Sequence, residues 1–376
     1  MKKRILLLGA GFGGLELATR LSEALGDTVE TTLVDQSDHF VLGFEKLEVM
    51  FGRAEPAAVR LPYRAIAKPG LRVLQRTITA IDPATRRITT DGGVLEADYL
   101  VIALGADYDV AATPGLAESG YEFYSVAGAE RVRGVLPAFK GGRVIVGSCG
   151  APYKCPPAPA EAALLLHDYL ERRGIRKQSE ITLVIPFATP LPPSPETSAA
   201  LMAAFAERGI AYVPRAVREL AAGRHAVVLD DGSELPCDLF LAIPKHVAPP
   251  VVVASGLTEN GWIPVTPRTL ETRYPGVYAI GDVSNTGVPK AGVLAEDAAR
   301  AVAAALIAAV RGGGAPQPYA GAGSCYVEFG AGRVGKMDVD FLTGPKVAAT
   351  YHAASTALRA EKERFGSSRR ARWFGV

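Results

Sequence analysis

Three groups of residues have types and spacings that could do chemistry. Gly9, Gly11 and Gly14 lie in "GAGFGG", which follows the apolar run "RILLL" and precedes Leu15, Ala18, Leu21 and Leu25 at helical spacing. In G-x-G-x-x-G between strand and helix, the first glycine permits the turn. The second lets the backbone approach a pyrophosphate, and the third lets helix and strand pack closely. The helix start then offers free N–H groups to phosphate. Asp35 ends the next strand, "ETTLVD", where a carboxylate can accept bonds from ribose hydroxyls. Far down the chain, Gly281 and Asp282 end the strand of "YAIGDV". The third group is sulfur: Cys155 in "VGSCGAPYKCPPAP" and Cys325 in "GSCYVEFG".

The stretch around Cys155 sits between the strand "GRVIV" and the helix "AEAALLLHDYL", where a second phosphate cradle would stand. Gly147 matches a first fingerprint glycine, but Gly150 is one place late for the second. Pro152, Pro156, Pro157 and Pro159 lack the N–H groups a cradle supplies. The following strand, "EITLVIPFATPLPPS", carries no acidic residue beyond its start to meet a ribose. This junction is expected to keep its architecture without holding a nicotinamide dinucleotide tightly. A cysteine at a helix N-terminus with Lys154 beside it is expected to be biased towards thiolate. Cys149 and Cys237 are expected to be inert structural thiols. The cysteine and histidine spacings fit no metal site, and no hydrolase triad is apparent.

These residues need a scaffold. The layout of strand, turn, helix and meander occurs twice: "GRVIVG" echoes "RILLLG", and "ELAAGRHAVVLDDGSELPCDLFLAIP" echoes "AIDPATRRITTDGGVLEADYLVIALG" at the same offset. The fold expected is α/β, with two Rossmann-like domains in tandem and a small C-terminal unit. The first domain takes residues 1–110 and 245–315, the second 111–244, and the last unit 316–376. A chain of 376 residues is long enough for this division. At 48% hydrophobic, 21% charged and a formal net charge of +2, the composition is that of a globular protein with no bias towards nucleic acid. No apolar run reaches the roughly 18 residues of a membrane span, and the apolar start reads as a first strand rather than a signal peptide. Four scattered cysteines do not make a stapled secreted scaffold.

"YAIGDV" resembles the second flavin motif of the two-dinucleotide-domain flavoproteins, and "ALGAD", containing Gly105, resembles their "ATG" loop with leucine for threonine. That resemblance implies FAD. Asp282 would bond the ribityl chain, and the helix starting near Gly292 would point at the flavin N1–C2=O edge, with Lys290 stabilising the reduced, anionic form. "CPPAPAEAALLL", "VPKAGVLAEDAA", "SCYVEFG" and the terminal "RRARWFG" resemble the sulfide:quinone oxidoreductase and flavocytochrome c sulfide dehydrogenase family over most of the chain.

The family resemblance implies a redox-active pair of Cys155 and Cys325 beside FAD that takes up sulfide and carries sulfur. Glu161 would handle protons, and polysulfide or zero-valent sulfur would be the product. Quinone is the expected acceptor, with cytochrome c as the alternative; this chain has no C-x-x-C-H of its own for haem. No cysteine stands near "DHFVLGFEK" for covalent attachment, so FAD is expected to be non-covalent. A type II NADH:quinone dehydrogenase and a non-catalytic redox-sensing flavoprotein remain alternatives. In the tail, Trp373 and Phe374 among arginines would suit a membrane interface, and equally a packing helix. A homo-oligomer is expected, cytoplasmic and peripheral on the inner face of the cell membrane.

Overall fold

The computed structural model describes residues 2–314 and 316–376. Strand Lys3–Leu8 sets the pattern for the first domain. Ile5 and Leu7 point into one apolar core, and Leu6 and Leu8 into another, the period-two sorting of a strand buried on both faces. Around it a five-stranded parallel sheet runs in the order Val277–Ala279, Tyr99–Ile102, Lys3–Leu8, Val29–Asp35, Leu71–Gln75. Helices Phe12–Leu25 and Gly292–Arg311 cover one face, and the antiparallel meander of residues 78–96 covers the other. The edge strand and the second helix come from late in the chain.

The second domain repeats this plan. Its parallel sheet runs Tyr121–Glu122, Leu239–Ile243, Gly142–Ser148, Ser179–Val184, Ile210–Val213. Helices Ala158–Arg172 and Pro195–Arg208 lie on one face, with the meander of residues 217–236 on the other. Two sheets, each between helices and a three-stranded meander, are the tandem α/β fold that the repeat predicts.

The C-terminal segment begins with a three-stranded antiparallel sheet, Ala322–Gly330, Arg333–Asp340 and Ala348–Ser355. It packs on the helices Ala158–Arg172 and Gly292–Arg311. Helix Ala357–Arg369 and a final wide turn, Arg370–Phe374, then cross back to the first domain.

Of the two readings of Trp373 and Phe374, the structure bears out the packing one. Trp373 is 1% exposed and Phe374 is buried. Trp373 meets Phe12 and Phe40 edge-on at centroid distances of 5.7 and 5.6 Å, and its indole N–H donates to Glu16 at 3.0 Å. The arginines face carboxylates rather than lipid: Arg369 on Glu296, Arg370 on Glu45, and Arg372 on Glu16 and Glu23. Among the described residues, no helix is long and apolar enough to cross a membrane. Replacing Trp373 with alanine empties this aromatic cluster, and urea unfolding is expected to show a loss of about 3–5 kcal/mol. Trp373→Phe, which keeps a ring but loses the bond to Glu16, is expected to cost about 1 kcal/mol.

Candidate active site

The glycine fingerprint is folded as its chemistry requires. Gly9 has φ +98°, and a Cβ there would lie 2.4 Å from the Ala103 carbonyl oxygen. A Cβ on Gly14 would lie 1.9 Å from the Gly9 carbonyl oxygen, so only glycine lets this helix and strand approach. At Gly11 the surrounding space is open, and Gly11 is the N-cap of Phe12–Leu25 with no side chain satisfying the first N–H groups. Asp35 accepts from the Ala10 amide at 2.7 Å and from the Ser37 amide at 2.8 Å. These bonds fix its carboxylate at the rim of a cavity of about 460 Å³ that Gly9, Gly11 and Gly105 also line.

A second cavity, of about 270 Å³, shares Gly11, Ala103 and Gly105 with the first and continues inward. Gly281, Asp282 and Gly292 line it from the late segment, and Cys155 and Glu161 from the second domain. The Asp282 carboxylate has no protein hydrogen-bond partner among the described residues, and burial pushes it up. A buried acid facing a cavity without a donor is the group expected where a ligand hydroxyl belongs. The two adjoining cavities, the open glycine backbone, the uncapped helix and the two carboxylates fit FAD: Asp35 would accept from its ribose hydroxyls and Asp282 from its ribityl hydroxyls.

The Lys290 ammonium donates to the carbonyls of Asp282 and Ser284 and lies 3.4 Å from the centre of the Trp262 ring. It lines a small pocket that adjoins the inner cavity through Gly281, Asp282, Ala291 and Ala295, and its charge braces the Asp282 loop. The cations on the cavity wall are Lys46 and Lys154, which the sequence reading passed over as cofactor contacts. Lys46 donates to the Tyr124 carbonyl, and Lys154 donates to the Ala106 carbonyl at 2.7 Å.

Cys155 stands in the turn before helix Ala158–Arg172 with φ +53°, a left-handed backbone rare outside glycine. Its amide donates to the Lys290 carbonyl at 2.8 Å, which ties this turn to the first domain. The side chain is exposed to the cavity, although protein surrounds that cavity. The expected thiolate bias is overturned. Burial pushes the Cys155 thiol up to about 12, Cys325 and Glu161 push the same way, and Lys46 only partly offsets them. One uncapped helix end does not outweigh desolvation. Cys325 lies on strand Ala322–Gly330 and is likewise pushed up to about 12 by burial. It does not line the cavity, but it is the neighbouring group that Cys155 feels most. Both are free thiols.

Cys149 and Cys237 belong to the other face of the second sheet, away from this wall. Burial raises both to about 11. No cluster of metal-ligating side chains exists among the described residues.

Glu161 is 2% exposed. It accepts from the Lys362 ammonium at 2.9 Å and from the Glu328 amide at 3.1 Å. Lys362, 6% exposed, also donates to the Glu328 carboxylate at 2.6 Å. Arg53 bonds that same carboxylate at 2.7 and 3.2 Å and reaches Glu48 at 2.6 Å. Three carboxylates here meet two cations, so one carboxyl has reason to hold a proton. Burial opposes the charge on Glu328, but Lys362 and Arg53 outweigh it and hold Glu328 down to about 2. Glu161, on the cavity side, is pushed up by burial, with Lys362 only partly offsetting it.

Three results follow from this geometry. Gly14→Ala is expected to abolish flavin retention, read as bound flavin absorbance per protein. Lys362→Met leaves buried carboxylates unpaired and is expected to cost about 3–5 kcal/mol in urea unfolding. Glu328 is depressed in the folded state, so its stabilisation is full above the ordinary value of 4.5 and is lost as pH falls towards about 2. Glu328→Gln is expected to remove that part of the acid loss, seen as a flatter dependence of the urea midpoint on pH.

Residues 3–305 match the family model described as pyridine nucleotide-disulphide oxidoreductase. The mitochondrial sulfide:quinone oxidoreductase of Mus musculus is 26% identical over 358 residues, covering 91% of this chain and 79% of that protein. The sulfide-quinone reductase of Aquifex aeolicus is 26% identical over 376 residues, covering 88% of this chain and 82% of that one. The X-ray structure of the sulfide:quinone oxidoreductase from Aquifex aeolicus superposes with a TM-score of 0.86 at 22% identity, covering 100% of this chain and 93% of that chain. The chain is thus an FAD-binding oxidoreductase similar over most of its length to sulfide:quinone oxidoreductases, and it belongs to the pyridine nucleotide-disulphide oxidoreductase family.

Proposed function

We propose that this enzyme oxidises hydrosulfide to a cysteine-bound persulfide, and onward to polysulfide or zero-valent sulfur, with quinone as the final electron acceptor. The observation that carries this reading is that Cys155 and Glu161 share the wall of the inner cavity, with Cys325 a close neighbour of Cys155 outside that wall. FAD, when bound, accepts the electron pair and passes it to the quinone.

The protein's own part begins with an oxidised Cys155–Cys325 pair. Hydrosulfide attacks one sulfur of the disulfide. A new S–S bond forms as the old one breaks, which leaves a persulfide on the attacked cysteine and a thiolate on the other. Leaving-group thiols with a high pKa depart slowly, and both thiols here are pushed up to about 12. Glu161 answers that difficulty: its carboxyl, pushed up by burial and on the cavity wall beside Cys155, delivers a proton to the departing sulfur. Lys362 and Glu328 then connect Glu161 to the surface pocket lined by Glu48, Arg53 and Glu363, a route for proton exchange with solvent.

Prolines in the turn before helix Ala158–Arg172 support sulfide over a nicotinamide as electron donor. That helix has Pro157 as N-cap and Pro159 in its first turn, so neither offers a backbone N–H to a phosphate. Anaerobic mixing of the FAD-loaded protein with sulfide is expected to bleach the flavin, and Cys155→Ser to slow this by at least about 100-fold. Native-rate bleaching in that variant would remove the mechanism. Bleaching by NADH but not by sulfide would instead make the chain a type II NADH:quinone dehydrogenase, and slow reduction by both would make it a sensor.

A further inference from the structure

Tyr124 is 5% exposed, and its hydroxyl has no hydrogen-bond partner among the described residues. It lines the inner cavity together with Cys155, Lys46 and Lys154. The rest of the residue is fixed on every side. Its amide donates to the Glu122 carboxylate at 2.8 Å, and its carbonyl accepts from the Tyr108 hydroxyl at 2.8 Å and from the Lys46 ammonium. His246 stands edge-on to the ring at 5.3 Å, and Phe123 lies against it at 5.2 Å. A side chain held this firmly does not swing to find water. Burying a hydroxyl without an acceptor is destabilising, and such groups in folded proteins call for an explanation. The explanation that fits is an acceptor that arrives with the chemistry.

We propose that the Tyr124 hydroxyl is the hydrogen-bond donor to the anionic sulfur at Cys155, whether the bound hydrosulfide, the thiolate or the persulfide. The assignment deepens the sulfide-oxidising reading and rests on it for the identity of the substrate. The phenol and Cys155 line one cavity, with Glu161 and Ala158 of the helix that follows Cys155 on the same wall. Around Cys155 itself, burial disfavours a negative sulfur most, and Lys46 and the Ala158 amide favour one. Lys154 and Asp282 share the same wall, and His246 stays neutral, held down to about 3 by burial. Burial therefore opposes the anion that sulfide oxidation must form. A neutral donor adds stabilisation without another buried charge.

The test is Tyr124→Phe in the FAD-loaded, reduced protein, with Tyr153→Phe as comparison. Tyr153 is also buried without a partner for its hydroxyl and is two positions from Cys155, but it does not line the cavity. The readout is the second-order rate of Cys155 alkylation by iodoacetamide at fixed pH, followed by mass spectrometry, with the flavin spectrum confirming the fold. The rate follows the thiolate fraction, so loss of a charge-assisted bond is expected to slow Tyr124→Phe about tenfold or more. Tyr153→Phe is expected to react like the native protein. An unchanged rate in Tyr124→Phe overturns the proposal. So does an equal slowing in Tyr153→Phe, or loss of FAD from Tyr124→Phe at an unchanged rate, which would make the phenol a cofactor contact. If sulfide fails to bleach the native flavin while Tyr124→Phe still slows alkylation, the sulfide reading falls and the donor assignment stands.

Discussion

One buried ammonium holds the site together. Lys362 comes from the C-terminal helix and lies between Glu161, on the helix that follows Cys155, and Glu328, on the strand that carries Cys325. Charge removed from water is tolerated only when paired at close range. Sliding that helix against that strand would separate charges where little water can replace them. The two sulfurs are thus registered by an ion pair that neither of them touches. Arg53, from the first domain, bonds the same Glu328 carboxylate and brings the flavin-side scaffold into the arrangement.

The two strand–helix junctions show how one architecture serves two ends. In the first, glycine removes side chains so that backbone and ligand can approach. In the second, the same position in the repeat holds a turn of prolines, with Cys155 at φ +53° and its amide bonded to the Lys290 carbonyl. The second junction has become a wall of the first junction's cavity. Lys290 serves both sides, its side chain bracing the Asp282 loop and its carbonyl holding the cysteine turn.

What could be read from the sequence was what is local. Gly9, Gly11 and Gly14 follow from steric demands within a few residues, and the alternation in Ile5–Leu8 follows from the geometry of a single strand. The repeat made the second sheet legible from the first. What could not be read depends on partners far away in the chain. Lys362 and Glu161 are 201 positions apart. The terminal arginines and Trp373 look like a surface motif until Glu16, Glu45 and Glu296 are seen opposite them. The thiolate expectation failed for the same reason: the helix end is local, whereas the burial that outweighs it is built by segments from across the fold. Tyr124 gave no signal at all in "YEFYSV", since an unpartnered hydroxyl is visible only once everything around it is in place.

The discontinuous make-up of the first domain has a consequence for biosynthesis. Its edge strand Val277–Ala279 and its covering helix Gly292–Arg311 are translated after every strand of the second sheet, which occupies residues 121–243 without interruption. As the nascent chain leaves the ribosome, the second sheet has all its strands while the first still lacks an edge and a lid. Domains fold as units in the order their residues emerge. The sheet beside Cys155 is therefore complete first, while the strand that brings Cys325 against helix Ala158–Arg172 and the last walls of the prosthetic group's berth emerge later.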